Sequence, residues 1–282
     1  MILIATNKQD SHTDEVVRKL NTRQVPVFRF NTEDLLTKYR VTLTLGADGK
    51  WAGHLTDEVE RVLDLAAVKV GWLRKPRFDF DTAGIDQAYR EFVVAESRAL
   101  IDTIYSLPNI VWINDPFVAN KSKVKFQQLL LARRFGVSTP KTLVTTDPRQ
   151  ALEFFRSCEA VVAKAVYSGN VTMDGVNRGI PTVAIDEASF LEHLEQIRYA
   201  PTQLQERVPK AFELRITVVG DQAFAVRIDS QVSEKTKVDW RLATDTIPHL
   251  RFDLPNNVEC FCIEFLKAQG LSFGAMDFVV TP

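Results

Sequence analysis

The run Phe212-Glu-Leu-Arg-Ile-Thr-Val-Val-Gly-Asp-Gln-Ala-Phe-Ala-Val-Arg-Ile228 is two segments of period-2 alternation joined by Gly220-Asp221. That pattern predicts an antiparallel hairpin. Glu213 and Arg215 lie two apart on its first strand, so both side chains point to one side of the sheet. Such a pair can offer an acceptor to a ribose and a donor to a phosphate within one cleft. It can equally be an exposed sheet face laced with ion pairs, and spacing alone leaves both open. Just upstream, Gln203 to Arg207 reads as a strand, followed by Lys210. Downstream, a helix over about Glu259 to Gln269 precedes a final strand, Phe273-Gly-Ala-Met-Asp-Phe-Val-Val280, which carries Asp277.

Farther out the pattern changes. Ile2 to Ala5 is a short apolar run, Val16, Val17 and Leu20 give a helical pattern, and Val25 to Phe30 reads as a second strand. This β-α-β spacing favours a parallel sheet with helical cover. Tyr39 to Leu45 alternates and is followed by the turn Gly46 to Gly49, a hairpin signal. Val68 to Leu73 is a further strand, and Ile85 to Leu107 carries a helical apolar stripe that Pro108 ends. A Pro/Asn-rich connection from Asn114 to Asn120 marks the first domain boundary. Beyond it come a helix from about Lys123 to Phe135 with Gly136 as its C-cap, a strand after Pro140, and a helix opened by Asp147-Pro148. Ala160 to Ala165 is a strand carrying Lys164, and a glycine-containing loop spans Ser168 to Gly179. The fold class is α/β with much antiparallel content, which does not suit one plain doubly wound sheet.

Composition excludes several classes. Lys plus Arg is 35 against 36 for Asp plus Glu, a net charge of -1, so no nucleic-acid partner recruited by bulk charge is expected. Three cysteines (Cys158, Cys260, Cys262) make no secreted disulfide scaffold, and four scattered histidines complete no zinc site with them. The opening residues lack the pattern of a signal peptide, and no stretch approaches the ~18 apolar residues of a membrane helix. A reduced, cytoplasmic protein with no membrane partner is expected.

Lys125 at a helix start and Lys164 on a strand before a glycine-containing loop could bracket a polyphosphate as point charges. Backbone N–H groups of Ser168-Gly-Asn170 or Asp174-Gly175 could add donors. Solvated surface lysines are the alternative. Neither a P-loop nor a dinucleotide-binding glycine fingerprint is present. Asp277 at a strand end could hold Mg²⁺ against phosphates. Trp240, between Asp239 and Arg241, belongs either to an ordered loop facing ligand or to a packed turn.

Taken together, these stretches resemble the ATP-grasp peptide ligases that modify ribosomally made peptides, the microviridin-type macrocyclases. The resemblance is carried by Lys125-Phe-Gln-Gln-Leu-Leu-Leu-Ala-Arg-Arg-Phe-Gly136, Pro140-Lys-Thr-Leu-Val144 and Gln205-Glu-Arg-Val-Pro-Lys-Ala-Phe-Glu-Leu-Arg-Ile-Thr-Val-Val-Gly220. Ile228-Asp-Ser-Gln231, Asp239-Trp-Arg241 and Leu271 to Pro282 add to it, as do Asn31-Thr-Glu33 and Val70-Gly-Trp-Leu-Arg74. It implies an ATP-grasp fold preceded by a pre-ATP-grasp α/β domain, with parts at 1–118, 119–202 and 203–282, and nucleotide between the last two. It implies that Lys125 and Lys164 contact phosphates, that Glu206 and Val208 lie in the hinge that reads adenine, and that Glu213 faces the ribose. Arg215 and Arg241 would stabilise the transferring phosphate, and Asp277 would bind Mg²⁺. The implied cofactors are ATP and Mg²⁺. The implied partners are a precursor peptide with leader and core segments and a second copy in a homodimer.

The implied reaction is ADP-forming activation of a peptide carboxylate as an acyl phosphate. A hydroxyl or amine of the same peptide then displaces phosphate and leaves an ester or amide crosslink. Adding an amino acid to a peptide or protein end, or mere nucleotide or peptide binding by a catalytically impaired relative, are the alternatives. In this family a Glu and an Asn on a following strand complete the metal site. The chain stops at Pro282 before that strand, so a truncated chain is expected, with a metal-impaired relative as the other reading.

Overall fold

The computed structural model describes every residue except Ser168, Asp174, Gly175 and Asp245. The chain divides into two compact units, Met1–Ala119 and Asn120–Pro282. In the first, β1 (Ile2–Thr6), α1 (Ser11–Thr22), β2 (Val27–Asn31) and the short α2 (Leu35–Lys38) are followed by β3 (Arg40–Leu45), β4 (Trp51–Thr56) and β5 (Val62–Asp64). Then come β6 (Val70–Leu73), α3 (Arg90–Tyr105) and β7 (Val111–Ile113). β2-β1-β6-β7 form a parallel sheet, and β3-β4-β5 an antiparallel one. β1 is central, and its Leu3, Ile4 and Ala5 are fully buried, as a strand covered on both faces requires. Asp10 caps α1 by accepting from the Thr13 N–H at 2.8 Å. One core joins Leu3, Phe30, Leu55, Leu63, Ile101 and Ile104.

Gly71 decides how closely β6 and β7 pack. A Cβ built there would lie 2.4 Å from Cε3 of Trp112, whose ring is met edge-on by Tyr105 at 5.0 Å. Gly71→Val should therefore overpack this layer and cost about 1–3 kcal/mol, to be checked by a denaturant titration against the parent chain. An unchanged midpoint would show that the Trp112 ring can move aside.

α4 (Pro116–Lys121) crosses the join between the units, with the Asp115 carboxylate accepting from the N–H groups of Phe117 and Val118 at 2.9 Å each. The expected polar connection is thus partly helical. In the second unit α5 (Lys125–Arg134), β8 (Thr142–Thr145), α6 (Pro148–Arg156), β9 (Val161–Lys164), β10 (Asn170–Met173) and β11 (Val176–Gly179) follow. β12 (Val183–Ile185), α7 (Glu187–His193) and β13 (Thr202–Glu206) complete a first sheet of order β12-β9-β13-β8. Then β14 (Phe212–Val219), β15 (Gln222–Ile228), β16 (His249–Phe252), α8 (Asn256–Ala268) and β17 (Phe273–Val280) build a second sheet, β16-β15-β14-β17.

The expected boundary between 202 and 203 falls at the start of β13, which pairs with β8 on one side and β9 on the other. One expectation needs correcting. The segment expected as a loop from Ser168 to Gly179 contains the antiparallel pair β10–β11, with Asn170 opposite Gly179. Of the backbone donors proposed there, those of Ser168, Asp174 and Gly175 lie outside the described residues.

Each sheet of the second unit packs one face against helices and carries polar side chains on the other. In the first sheet Val161, Ala163 and Leu204 pack with Ala151 and Phe190 from α6 and α7, and Phe155 stacks on Phe190 at 4.3 Å. Strand alternation then puts Lys164, Gln203 and Gln205 on the opposite face. In the second, Leu214, Ile216 and Val218 pack against Cys262 and Leu266 of α8. Burial pushes the Cys262 thiol up to about 11, which leaves it a packing residue. The alternate residues Glu213 and Arg215 therefore face away from α8.

Candidate nucleotide and acyl-transfer site

α5 begins at Lys125, and its ammonium donates to the carbonyl of Ala165, one residue past β9, at 2.6 Å. This bond brings the first predicted lysine to the strand that carries the second. The Lys164 ammonium donates to Gln205 Oε1 of the neighbouring β13 at 2.7 Å. Both lysines are held below the ordinary ammonium range. For Lys125 burial is the larger cause and Arg241 the smaller. For Lys164 burial again leads, then repulsion from Lys210 and Lys125, partly offset by Asp239 and Glu213. Cations gathered close together and partly out of water form a ready anion site.

Lys210 is a further cation of this cluster that no sequence pattern singles out. Its side chain is only 14% exposed, and it donates to Glu213 Oε1 at 3.0 Å and to the Val238 carbonyl at 2.9 Å. Nothing periodic marks it, because it lies in the link between the two sheets. A lysine three residues before the paired Glu213 was the one available hint.

Glu206 ends β13, and Val208 sits on that link. The N–H groups of Glu206 and Arg207 donate to the carbonyls of Lys141 and Ala160, both at 2.9 Å. The Glu206 carboxylate accepts from the Lys141 N–H at 3.2 Å. Those two backbone donors are thus already committed, and a base bound here must be read by other peptide groups of the segment. Val208 is half-buried.

The second sheet supplies the other cluster. Arg215 lies directly opposite Asp277 in the β14–β17 register, and its guanidinium donates to Asp277 Oδ1 at 2.8 Å. Arg241 donates to Asp277 Oδ2 at 3.1 Å. Arg241 is delivered by the Trp240–Leu242 turn, capped by Asp239, whose side chain is 4% exposed and also accepts from the Thr182 N–H at 3.1 Å. Trp240 meets the edge of His249 at 5.8 Å, so the Asp-Trp-Arg segment is a packed turn that presents its arginine.

These residues can hold a polyphosphate. Lys125 and Lys210 both repel Lys164, Arg241 is close enough to Lys125 to perturb it, and Arg215 shares Asp277 with Arg241. For Mg²⁺ the same residues offer less. Among the described residues no group of three or more His, Cys, Asp or Glu could hold a metal ion. Asp277 supplies one carboxylate, which suits Mg²⁺ only when phosphate oxygens and water complete the shell, its usual habit. Among the described residues no helix is long and apolar enough to cross a membrane.

Comparison with known proteins finds likenesses in sequence and fold. Residues 1–120 match the family model described as the MvdD pre-ATP grasp domain. A Chryseobacterium gregarium RiPP-associated ATP-grasp ligase, solved in complex with ADP and a leader and core peptide, is 29% identical, with a TM-score of 0.90, covering 100% of this chain and 85% of that one. The Microcystis aeruginosa macrocyclase MdnC, bound with precursor peptide MdnA, is 29% identical at TM-score 0.87, covering 100% and 88%. The macrocyclase MdnB from the same organism is 26% identical at TM-score 0.79, covering 100% and 87%. No curated protein matches the chain by sequence. With a match to the pre-ATP-grasp family model over residues 1–120 and these likenesses over its whole length, the chain is similar in sequence and fold to RiPP-associated ATP-grasp ligases, the macrocyclases MdnC and MdnB among them.

Proposed function

We propose that the chain is an ADP-forming ligase that activates a side-chain carboxylate of a ribosomally made precursor peptide and closes it onto a hydroxyl or amine of the same peptide. The observation that carries this reading is the pairing of Arg215 and Arg241 on Asp277 in the unit that also gathers Lys125, Lys164 and Lys210. A carboxylate and a triphosphate repel each other, so the main task of the protein is to supply positive charge and hold the reactants in line.

The carboxylate oxygen attacks the γ-phosphorus, the bond from that phosphorus to the β–γ bridging oxygen breaks, and ADP leaves. The hydroxyl or amine then attacks the acyl carbon, loses its proton, and inorganic phosphate departs. Lys125, Lys164 and Lys210 bind the phosphates, Glu213 accepts from the ribose, and Arg215 and Arg241 stabilise charge on the transferring group. A Mg²⁺ ion bound on the phosphates would neutralise further charge, with Asp277 as a ligand from this chain. The peptide groups around Glu206 and Val208 read adenine. In this reading the ATP-grasp part has two halves, 119–202 and 203–282, and the chain pairs as a cytoplasmic homodimer, which analytical ultracentrifugation tests.

The deciding experiment is the intact mass of candidate precursor peptides after incubation with the chain, ATP and Mg²⁺, with ADP measured in parallel. Loss of ~18 Da per crosslink, matched by ADP, is the expected result. Added amino-acid mass would replace this reading with that of a tailoring ligase. ATP binding with no ADP formed from any precursor would leave a binding protein.

A further inference from the structure

We propose that Gln205 is the positioning residue for Lys164, holding its ammonium through a neutral amide oxygen so that its whole charge stays available to an incoming polyphosphate. This rests on the reading of the site as an ATP site. Gln205 is 6% exposed and lies on the face of β13 turned away from the Leu204 core. Lys164 reaches it diagonally across the β9–β13 pair, where Gln203 is its direct partner in register.

The amide can face the lysine in one orientation only. Thr142 Oγ1 donates to the Pro140 carbonyl at 3.0 Å, which spends its proton and leaves a lone pair as the acceptor for Gln205 Nε2 at 2.9 Å. With the amide nitrogen fixed on Thr142, the amide oxygen must point to Lys164. Thr142 and Gln205 are opposite one another in the β8–β13 register, so the backbone of three adjacent strands sets the ammonium position.

A neutral acceptor suits the place. The groups facing Lys164 are Lys125 from α5, Lys210 from the inter-sheet link, Glu213 from β14 and Asp239 from the capped turn. Without an acceptor the buried ammonium would lose its proton more readily and swing on its four-carbon stem. A carboxylate in place of the amide would hold the lysine more firmly, but it would compete with phosphate for the same charge. Gln205 keeps both position and charge.

The test is equilibrium binding of ATP to the full chain by titration calorimetry, from pH 6.5 to 9.5, with thermal melts of each variant. ATP needs protonated Lys164, so affinity should be highest below the lysine's depressed pKa and fall as pH rises through it. Gln205→Leu should weaken binding about tenfold or more and move that fall to lower pH. Gln205→Glu should weaken binding while moving the fall to higher pH. Thr142→Val, a milder change, should shift the profile in the direction of Gln205→Leu and serves if that variant does not fold. In a Lys164→Met background both Gln205 substitutions should lose their effect. A pH profile for Gln205→Leu that superimposes on the parent's would overturn the assignment, as would equal effects with and without Lys164. Absence of ATP binding by the parent chain at every pH would overturn the ATP reading and this proposal with it.

Discussion

Lys164→Met is expected to cut ADP formation by about 10²–10³-fold, the loss typical when one preorganised charge supplier to a transition state is removed. Methionine keeps the length of the stem and removes the charge, so packing against β13 survives. The fold should survive as well. Lys164 sits partly out of water, with Lys210 and Lys125 repelling it, and its proton affinity is already depressed for those reasons. Removing that charge relieves repulsion but leaves the buried Gln205 oxygen without its donor, so the melting temperature should hold or fall by a few degrees. The paired measurements are ADP release at saturating ATP and a thermal melt. Full ADP formation in a folded Lys164→Met chain would remove the lysine from the mechanism. The parent chain should also lose ATP affinity as pH rises. The ammonium binds phosphate only when protonated, and bound phosphate pulls its pKa back up, so affinity is retained below the free pKa and lost between the free and bound values.

Asp277→Asn is expected to lower turnover by a similar factor of about 10²–10³, for a different reason. One carboxylate orients two guanidiniums, Arg215 at 2.8 Å and Arg241 at 3.1 Å. An amide has one oxygen and one NH₂ group, so it can accept from one arginine but must turn a donor toward the other. The second arginine would swing free, and a hard oxygen ligand for Mg²⁺ would be lost with the charge. Arg215→Lys should be milder, keeping the charge and losing the planar fork that sets direction. Steady-state ADP release as a function of Mg²⁺ concentration checks both. A rise in the Mg²⁺ needed for half-maximal rate in Asp277→Asn, absent in Arg215→Lys, is the expected pattern. Identical Mg²⁺ dependence in all three proteins would leave Asp277 as an arginine clamp alone.

Much of the architecture was legible residue by residue. The β-α-β start, the hairpin around Gly220 (φ +61) and the helix stop at Gly136 (φ +77) all follow from period and from positions that need a left-handed backbone. Other elements were not. β16, His249–Phe252, is four residues long with its first three exposed, too short for its alternation to stand out, and it pairs along the edge that β15 offers. β10 and β11 are hidden by the glycines around them. β13 could be read as a strand, but not which sheet it would join.

The candidate site divides the same way. Period-2 alternation determined that Glu213 and Arg215 share a face, and the apolar partners Leu214 and Ile216 imply which face that is. Alternation repeats along one strand and carries no information about which strand lies alongside. That Arg215 meets Asp277, 62 residues away, and that Lys164 meets Gln205, 41 residues away, was decided only by tertiary pairing and register. Lys210 joined the site for the same reason: its role comes from burial between two sheets, a property no local pattern encodes.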